Sequence, residues 1–62
     1  MTVAEEIKLY RNMIDRTQAE IDELNKRYPG VRPSWVSGDI GMLCIDIERY
    51  KHLIHQLQQE AQ

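Results

Sequence analysis

Three side chains with metal-binding chemistry lie close together in the second half of the chain. Glu48, His52 and His55 are spaced by four and then three residues, so a helix would place them on one face. Imidazole and carboxylate groups both bind zinc, but no fourth candidate ligand follows at a suitable spacing. The separation of Glu48 and His52 also differs from the Glu-x-x-His pattern of dinuclear carboxylate sites. We therefore expect a solvated face with no metal and no other cofactor.

Residues 27–45, where the two halves of the chain meet, contain a second group of candidate functional residues. Arginine side chains and the free N–H groups at a helix start can bind a phosphate, which would make this region a nucleotide site. Asp39 would repel such an anion, and the glycine spacing matches no phosphate-binding fingerprint. The members of this candidate partner-binding site are Arg27, Arg32, Ser34, Trp35, Ser37, Gly38, Gly41, Met42 and Ile45.

Two glycines of this region, Gly38 and Gly41, lie where we expect a helix. Glycine in a helix costs about 1 kcal/mol relative to alanine, so close packing of another helix or of the loop against the backbone would explain both. Contact with a protein partner is the second explanation, and contact with a phosphate is the third. Trp35 is the single tryptophan; it would either cover the loop end of the core or anchor a protein partner.

No group of residues predicts catalysis. Cys44 is the single cysteine, and because no His–carboxylate pair is expected beside it, we predict a small buried hydrophobic residue. A lone cysteine without an apolar leader segment favours the reducing cytoplasm. No apolar run approaches the roughly 18 residues of a membrane span. We therefore expect a cytoplasmic, non-enzymatic protein without membrane contact.

Two regular apolar patterns predict the elements that position these residues. In each half of the chain, apolar residues recur at alternating intervals of four and three, as in the seam of a coiled coil. The one polar member is Thr17, which can set the register of helix pairing. The first seam is Val3, Ile7, Tyr10, Ile14, Thr17, Ile21, Leu24 and Tyr28; the second is Val36, Ile40, Leu43, Ile47, Tyr50, Ile54, Leu57 and Ala61.

Turn-forming residues separate the two seams. Pro29 and Gly30 end the first helix. Ser34 is the preferred N-cap of the second helix, with Ser37 and Asp39 as alternatives. The connection of about six residues is typical of antiparallel neighbours. The sequence therefore predicts an all-α fold: an antiparallel two-helix hairpin with helices at about 2–28 and 34–61, forming one domain over 1–62.

Folding the chain back at residue 32 gives every seam residue a partner on the other helix. The expected pairs are Tyr28 with Val36, Leu24 with Ile40, Ile21 with Leu43, Thr17 with Ile47, Ile14 with Tyr50, Tyr10 with Ile54, Ile7 with Leu57 and Val3 with Ala61.

Several large apolar residues belong to neither seam. Burying a Leu, Ile or Met side chain stabilises by about 1.5–3 kcal/mol, whereas a chain this short has little core and no disulfide to support it. We therefore predict self-association into a dimeric four-helix bundle or a higher oligomer. The predicted self-association surface is Leu9, Met13 and Leu53 near the open end; Val31, Trp35, Met42 and Ile45 cluster near the loop.

Three possible functions are compatible with the composition and charge of the chain. The net charge of −2, with 29% charged residues, is typical of a globular protein and disfavours a general nucleic-acid coat. We favour a small interaction protein that binds another protein as an inhibitor, adaptor or modulator. The second hypothesis is a dimeric hairpin that binds RNA or DNA through Lys8, Arg11 and Arg16, although Asp15 and Glu20 interrupt that basic edge. The third is an oligomer that sequesters a nucleotide at the loop end.

Overall fold

The computed structural model describes residues 1–60, which form two α-helices that pack against each other. α1 covers Val3–Arg27 and α2 covers Ser34–Glu60, with no strand in this part of the chain. The Cα trace measures 47 × 14 × 13 Å, as expected for two helices of about 40 Å lying side by side. The predicted all-α helical hairpin is confirmed for the described residues. Neither helix contains a stretch long and apolar enough to cross a bilayer.

The start of α1 is fixed by a reciprocal cap that we did not predict. Thr2 is the N-cap, and its Oγ1 accepts a hydrogen bond from the Glu5 N–H at 3.2 Å. Glu5 Oε1 in turn accepts from the Thr2 N–H at 3.4 Å. Such a capping box satisfies two backbone donors that a helix start leaves without partners. Its signal, a threonine followed three residues later by a glutamate, is present in the sequence.

The end of α1 differs from the prediction by one residue, and α2 begins at residue 34 as predicted. α1 ends at Arg27, and Tyr28 is its C-cap, donating its N–H to the Leu24 carbonyl at 3.0 Å. Ser34 is the first residue of α2, where we expected the N-cap that precedes it. The Pro33 carbonyl accepts the Val36 N–H at 3.0 Å. Proline at the boundary has its φ already close to the helical value, so the helix can begin directly after it.

The two predicted seams form the core. Every seam residue from Ile7 to Leu57 is buried or half-buried. Among the described residues, the buried hydrophobic ones are Ile21, Val36 and Ile47, and Val36 is completely inaccessible. Val3 is 38% exposed, because it lies at the open end of the hairpin. Its expected partner, Ala61, and the predicted extension of the second helix to residue 61 lie outside the described residues.

Aromatic contacts show how the seams are aligned. The rings of Tyr28 and Trp35 meet edge to face at 5.6 Å next to the loop. Further along, Tyr10 and Tyr50 stack with their centroids 6.0 Å apart, although the predicted register paired these tyrosines with Ile54 and Ile14. The difference is one helical turn, about 6 Å, a distance that two long side chains span along the seam.

Thr17, the polar member of the first seam, has its hydroxyl satisfied within its own helix. The Oγ1 group donates to the Met13 carbonyl at 2.8 Å, a bond that Ser and Thr commonly make to the preceding turn. Its polar atom therefore needs no partner on α2. The predicted role in setting the register would depend on the side chain's shape and not on a hydrogen bond across the seam.

Candidate protein interaction surfaces

The open-end patch, which we define as Leu9, Met13 and Leu53, remains partly exposed after the hairpin has folded. The exposed fractions of these side chains are 46%, 36% and 37%. Leu9 and Met13 are one turn apart on α1, and Leu53 is on α2. The patch therefore combines both helices, and each of its members is already partly sheltered by the hairpin.

Met13 and Leu53 lie on the same side of the hairpin. Each immediately precedes a seam residue, Ile14 or Ile54, so each flanks the seam of its own helix. Glu20 and Asp39 have equivalent positions, and they line one depression of about 360 Å³ together with seam residues of both helices and Met42. We call this side, which carries Met13, Glu20, Asp39 and Leu53, the front face.

The loop-end patch, defined as Val31, Trp35, Met42 and Ile45, is more exposed. Its side chains are 104%, 52%, 63% and 51% exposed, in that order. The Tyr28 ring contacts one side of the Trp35 indole, while half of the Trp35 surface stays open. The lid function and the anchor function predicted for Trp35 are therefore compatible, since one side of the ring can pack while the other binds.

Three residues of the loop-end patch form a stripe with Gly38 along the outside of α2. Trp35, Gly38, Met42 and Ile45 are spaced by three, four and three residues, so they share one face of the helix. This outer stripe has the spacing by which amphipathic helices present apolar anchors to a partner. α1 does not cover it, because the adjacent residues Val36, Ile40, Leu43 and Ile47 face α1.

The expectation that another part of the chain packs on the α2 glycines is wrong for residues 1–60. A Cβ atom built on Gly38 or Gly41 would meet nothing within 4 Å. Gly38 therefore leaves open space between larger side chains of the outer stripe, and Gly41 leaves open space beside that stripe. No contact within residues 1–60 requires glycine at these positions.

A shallow groove of about 600 Å³ joins the two patches along α2. Ile45 lies at one end and Leu53 at the other, and the carbon stems of charged residues between them make its walls largely apolar. The sequence predicts the open-end patch and the loop-end patch as two separate clusters, whereas the groove connects them. Cys44 also lines this groove and is exposed. The prediction that Cys44 is buried is therefore wrong. The contact between two helices covers one stripe on each helix, and Cys44 lies beside the covered stripe. The groove is lined by Cys44, Ile45, Glu48, Arg49, His52 and Leu53.

The loop end has little of the chemistry that a phosphate site needs. The Arg27 Nε donates to Glu23 at 3.0 Å in an exposed ion pair, and Arg32 is half-buried. The carboxylates of Glu20 and Asp39 line the adjacent depression, where they would repel an anion. Ser34 and Ser37 are exposed, but Ser34 is the first helical residue and is not the expected cap.

The helical geometry also spreads out the basic residues of α1 that we considered for binding RNA or DNA. Arg11 and Arg16 are five residues apart on a continuous helix, which places them about 140° from each other around its axis. Asp15, between them in sequence, lies on the same side as Arg11. Lys8 lies between the two arginines around the axis, so the three basic residues spread over about 140° of the α1 surface with Asp15 among them. Binding to a nucleic-acid backbone favours a denser positive charge than this.

The Glu48–His52–His55 face has other interactions. Glu48 pairs with Lys51 at 3.7 Å, and the His55 Nε2 lies 3.0 Å from the amide nitrogen of Gln59. Within residues 1–60, no three His, Cys, Asp or Glu side chains are grouped as a metal ion would require.

Comparison of the chain with protein-family models, with curated proteins and with solved structures finds no match. Any inference about function therefore depends on the surfaces described above.

Proposed function

We propose that this chain is a non-enzymatic interaction protein that holds another protein against the outer stripe of α2. The observation that carries the proposal is the presence of two apolar stripes on one helix, of which α1 covers only the inner one. An exposed Trp with Met and Ile about two and three turns further along is the kind of anchor set on which protein interfaces depend. Open space at Gly38 would admit a side chain of the partner. The partner class is a protein helix with an apolar face.

Self-association is the second part of the proposal. Three buried hydrophobic side chains are a small core for residues 1–60, and domains of this size usually need a disulfide, a metal or a partner subunit. We infer a dimeric four-helix bundle in which the open-end patch supplies the additional buried surface. The proposal includes a cytoplasmic location, because an exposed lone thiol such as Cys44 is most compatible with a reducing compartment.

The experiment that tests the partner site is affinity capture from the native host followed by reconstitution with the purified candidate. Met42→Asp puts a charge in the centre of the outer stripe and should weaken binding at least tenfold, because burying an unpaired carboxylate is costly. Gln58→Asp adds the same charge at an exposed position far from the stripe, and it should bind as the unchanged protein does. Equal binding by both variants would remove the outer stripe as the partner site.

A further inference from the structure

The front face of α1 carries a stripe with a symmetric arrangement of charge and hydrophobicity. Glu6, Leu9, Met13 and Arg16 are spaced by three, four and three residues, so they follow one line along the helix. An acidic residue stands at one end and a basic residue at the other, with two apolar residues between them. In a two-fold symmetric contact between antiparallel helices, each residue faces the one at the mirrored position on the other copy. The spacing of the contact residues must therefore be the same in both directions along the helix.

We propose that two copies of the chain pack front face to front face, with their α1 helices antiparallel and the two-fold axis level with residue 11. In this arrangement Leu9 of one copy faces Met13 of the other, and Glu6 faces Arg16 of the other. Both pairs occur twice in the dimer because the contact is isologous. The inference rests on the proposed self-association and adds its symmetry, its register and its ion pairs.

The level of Leu53 along α2 agrees with the same two-fold axis. The Tyr28–Trp35 and Tyr10–Tyr50 ring contacts join residues whose numbers add up to 63 and 60, and these sums show which residues lie level with each other on the two helices. Leu53 is therefore level with about residues 7–10 of α1, within roughly one turn of the axis at residue 11. Because Leu53 lies near the two-fold axis, it faces Leu53 of the second copy. The open-end patch of one copy is then buried against the same patch of the other.

Neither charged residue of the stripe forms an ion pair within residues 1–60. Glu6 and Arg16 are ten residues apart on α1, which is about 15 Å along the axis, too far for an ion pair. The ion pairs within residues 1–60 are Arg27–Glu23 and Lys51–Glu48. Glu6 and Arg16 are therefore available to a second copy, and their opposite charges fix the antiparallel direction.

The register leaves the loop ends free. The overlap covers about 16 residues of α1 and the facing part of α2, or roughly 24 Å. Since one hairpin is 47 Å long, the dimer would measure about 70 Å, with the outer stripes near its two ends. Asp46 comes level with Glu60 of the second copy, and the positive charge of Arg49, one turn from Asp46 on α2, reduces the repulsion between these acids.

A charge-exchange experiment tests the register. Glu6→Arg places two arginines opposite each other, and Arg16→Glu places two glutamates opposite each other, so each variant alone should self-associate roughly tenfold more weakly. An equimolar mixture should recover the unchanged affinity, because a heterodimer of the two variants restores an Arg–Glu pair at both contacts. Sedimentation equilibrium at micromolar concentrations measures all three samples, and the mixture shows rescue even where a variant alone is poorly folded.

Arg11→Glu is the matched control, because Arg11 lies about 140° around α1 from Arg16. It should self-associate normally, and it should not rescue Glu6→Arg. Three results have distinct meanings. An unchanged protein that stays monomeric at all concentrations overturns the proposed self-association and, with it, this dimer. A stable dimer whose charge variants associate normally, or fail to rescue each other, overturns only the register. Rescue in the mixture alone supports it.

Cysteine cross-linking gives an independent measurement of the same axis. In a Cys44→Ser background, Leu53→Cys should form an interchain disulfide rapidly on mild oxidation, because the two sulfurs would face each other across the axis. Met42→Cys is the control, since this position would lie about 30 Å from its counterpart and should stay reduced. Rapid cross-linking of Met42→Cys, or none of Leu53→Cys, would contradict the proposed register.

Discussion

The two apolar stripes of α2 differ in environment although they share a helix and a spacing. The inner stripe runs through Val36 and Ile47, which are 0% and 7% exposed, whereas the outer stripe runs through Trp35 and Ile45, which are 52% and 51% exposed. Both repeat at intervals of three and four. This difference shows that the spacing of apolar residues predicts which residues share a helix face. It does not predict whether another helix covers that face. α1 covers one stripe and leaves the other exposed.

The largest effect that would test this comparison comes from truncating the same residue type in each stripe. Ile47→Ala should lower the free energy of unfolding by about 2–4 kcal/mol, because it removes buried methyl groups and leaves a cavity. Ile45→Ala, two residues away, should change it by less than about 0.5 kcal/mol. Urea unfolding at one fixed protein concentration measures both, since the stability of an oligomer depends on concentration. Equal losses would show that the outer stripe is covered in the free protein.

A smaller effect is expected where the outer stripe touches the core. Trp35 contacts the Tyr28 ring edge to face, and such pairs contribute about 0.5–1.5 kcal/mol beyond their buried area. A double-mutant cycle with Trp35→Ala and Tyr28→Leu should give a coupling free energy in that range. A coupling near zero would mean that Trp35 has no role in holding the loop end, and that its only proposed role is partner binding.

The glycine of the outer stripe should respond in the opposite direction. Gly38→Ala is expected to raise the free energy of unfolding by about 0.5–1 kcal/mol, because alanine is the better helix former and its Cβ meets no neighbour. Thermal unfolding followed by circular dichroism measures the gain, and Gly41→Ala should give a similar one. Self-association should not change, because Gly38 lies outside the proposed dimer contact. A loss of stability would reveal a contact at this surface.

The smallest effect concerns charge at the loop end. The Arg27–Glu23 ion pair is exposed, with 68% and 55% of the two side chains accessible, and exposed pairs contribute little after screening. Arg27→Ala should change the free energy of unfolding by less than about 0.5 kcal/mol in urea titration. A larger loss would place Arg27 in the part of the hairpin that determines stability, and not only at the candidate partner surface.

Much of the fold was predictable from particular residues. The seam spacing predicted which residues are buried between Ile7 and Leu57, because a helix repeats its face about every 3.6 residues. Pro29 and Gly30 marked the end of α1 to within one residue. The errors at Tyr28 and in the cap assignment of Ser34 were of the usual kind, since caps depend on a single hydrogen bond.

The surfaces were less predictable than the seam. The exposure of Leu9, Met13 and Leu53 followed from their absence from the seams, and so did that of the loop-end residues. The burial expected for Cys44 was wrong, and so was the close packing expected at Gly38. Both errors have one cause: a position outside the seam, whether beside it as Cys44 or opposite it as Gly38, is covered only when another helix packs there, and residues 1–60 form two helices.

The sequence by itself determined the two helices, their approximate ends and the face that each buries, because local backbone geometry and apolar spacing are sufficient for these features. The packing of the two helices determined which residues from different parts of the chain share a surface. It placed Glu20 with Asp39 in one depression and the Tyr28 ring against Trp35. These relations depend on the direction and alignment of the second helix, which no local pattern specifies.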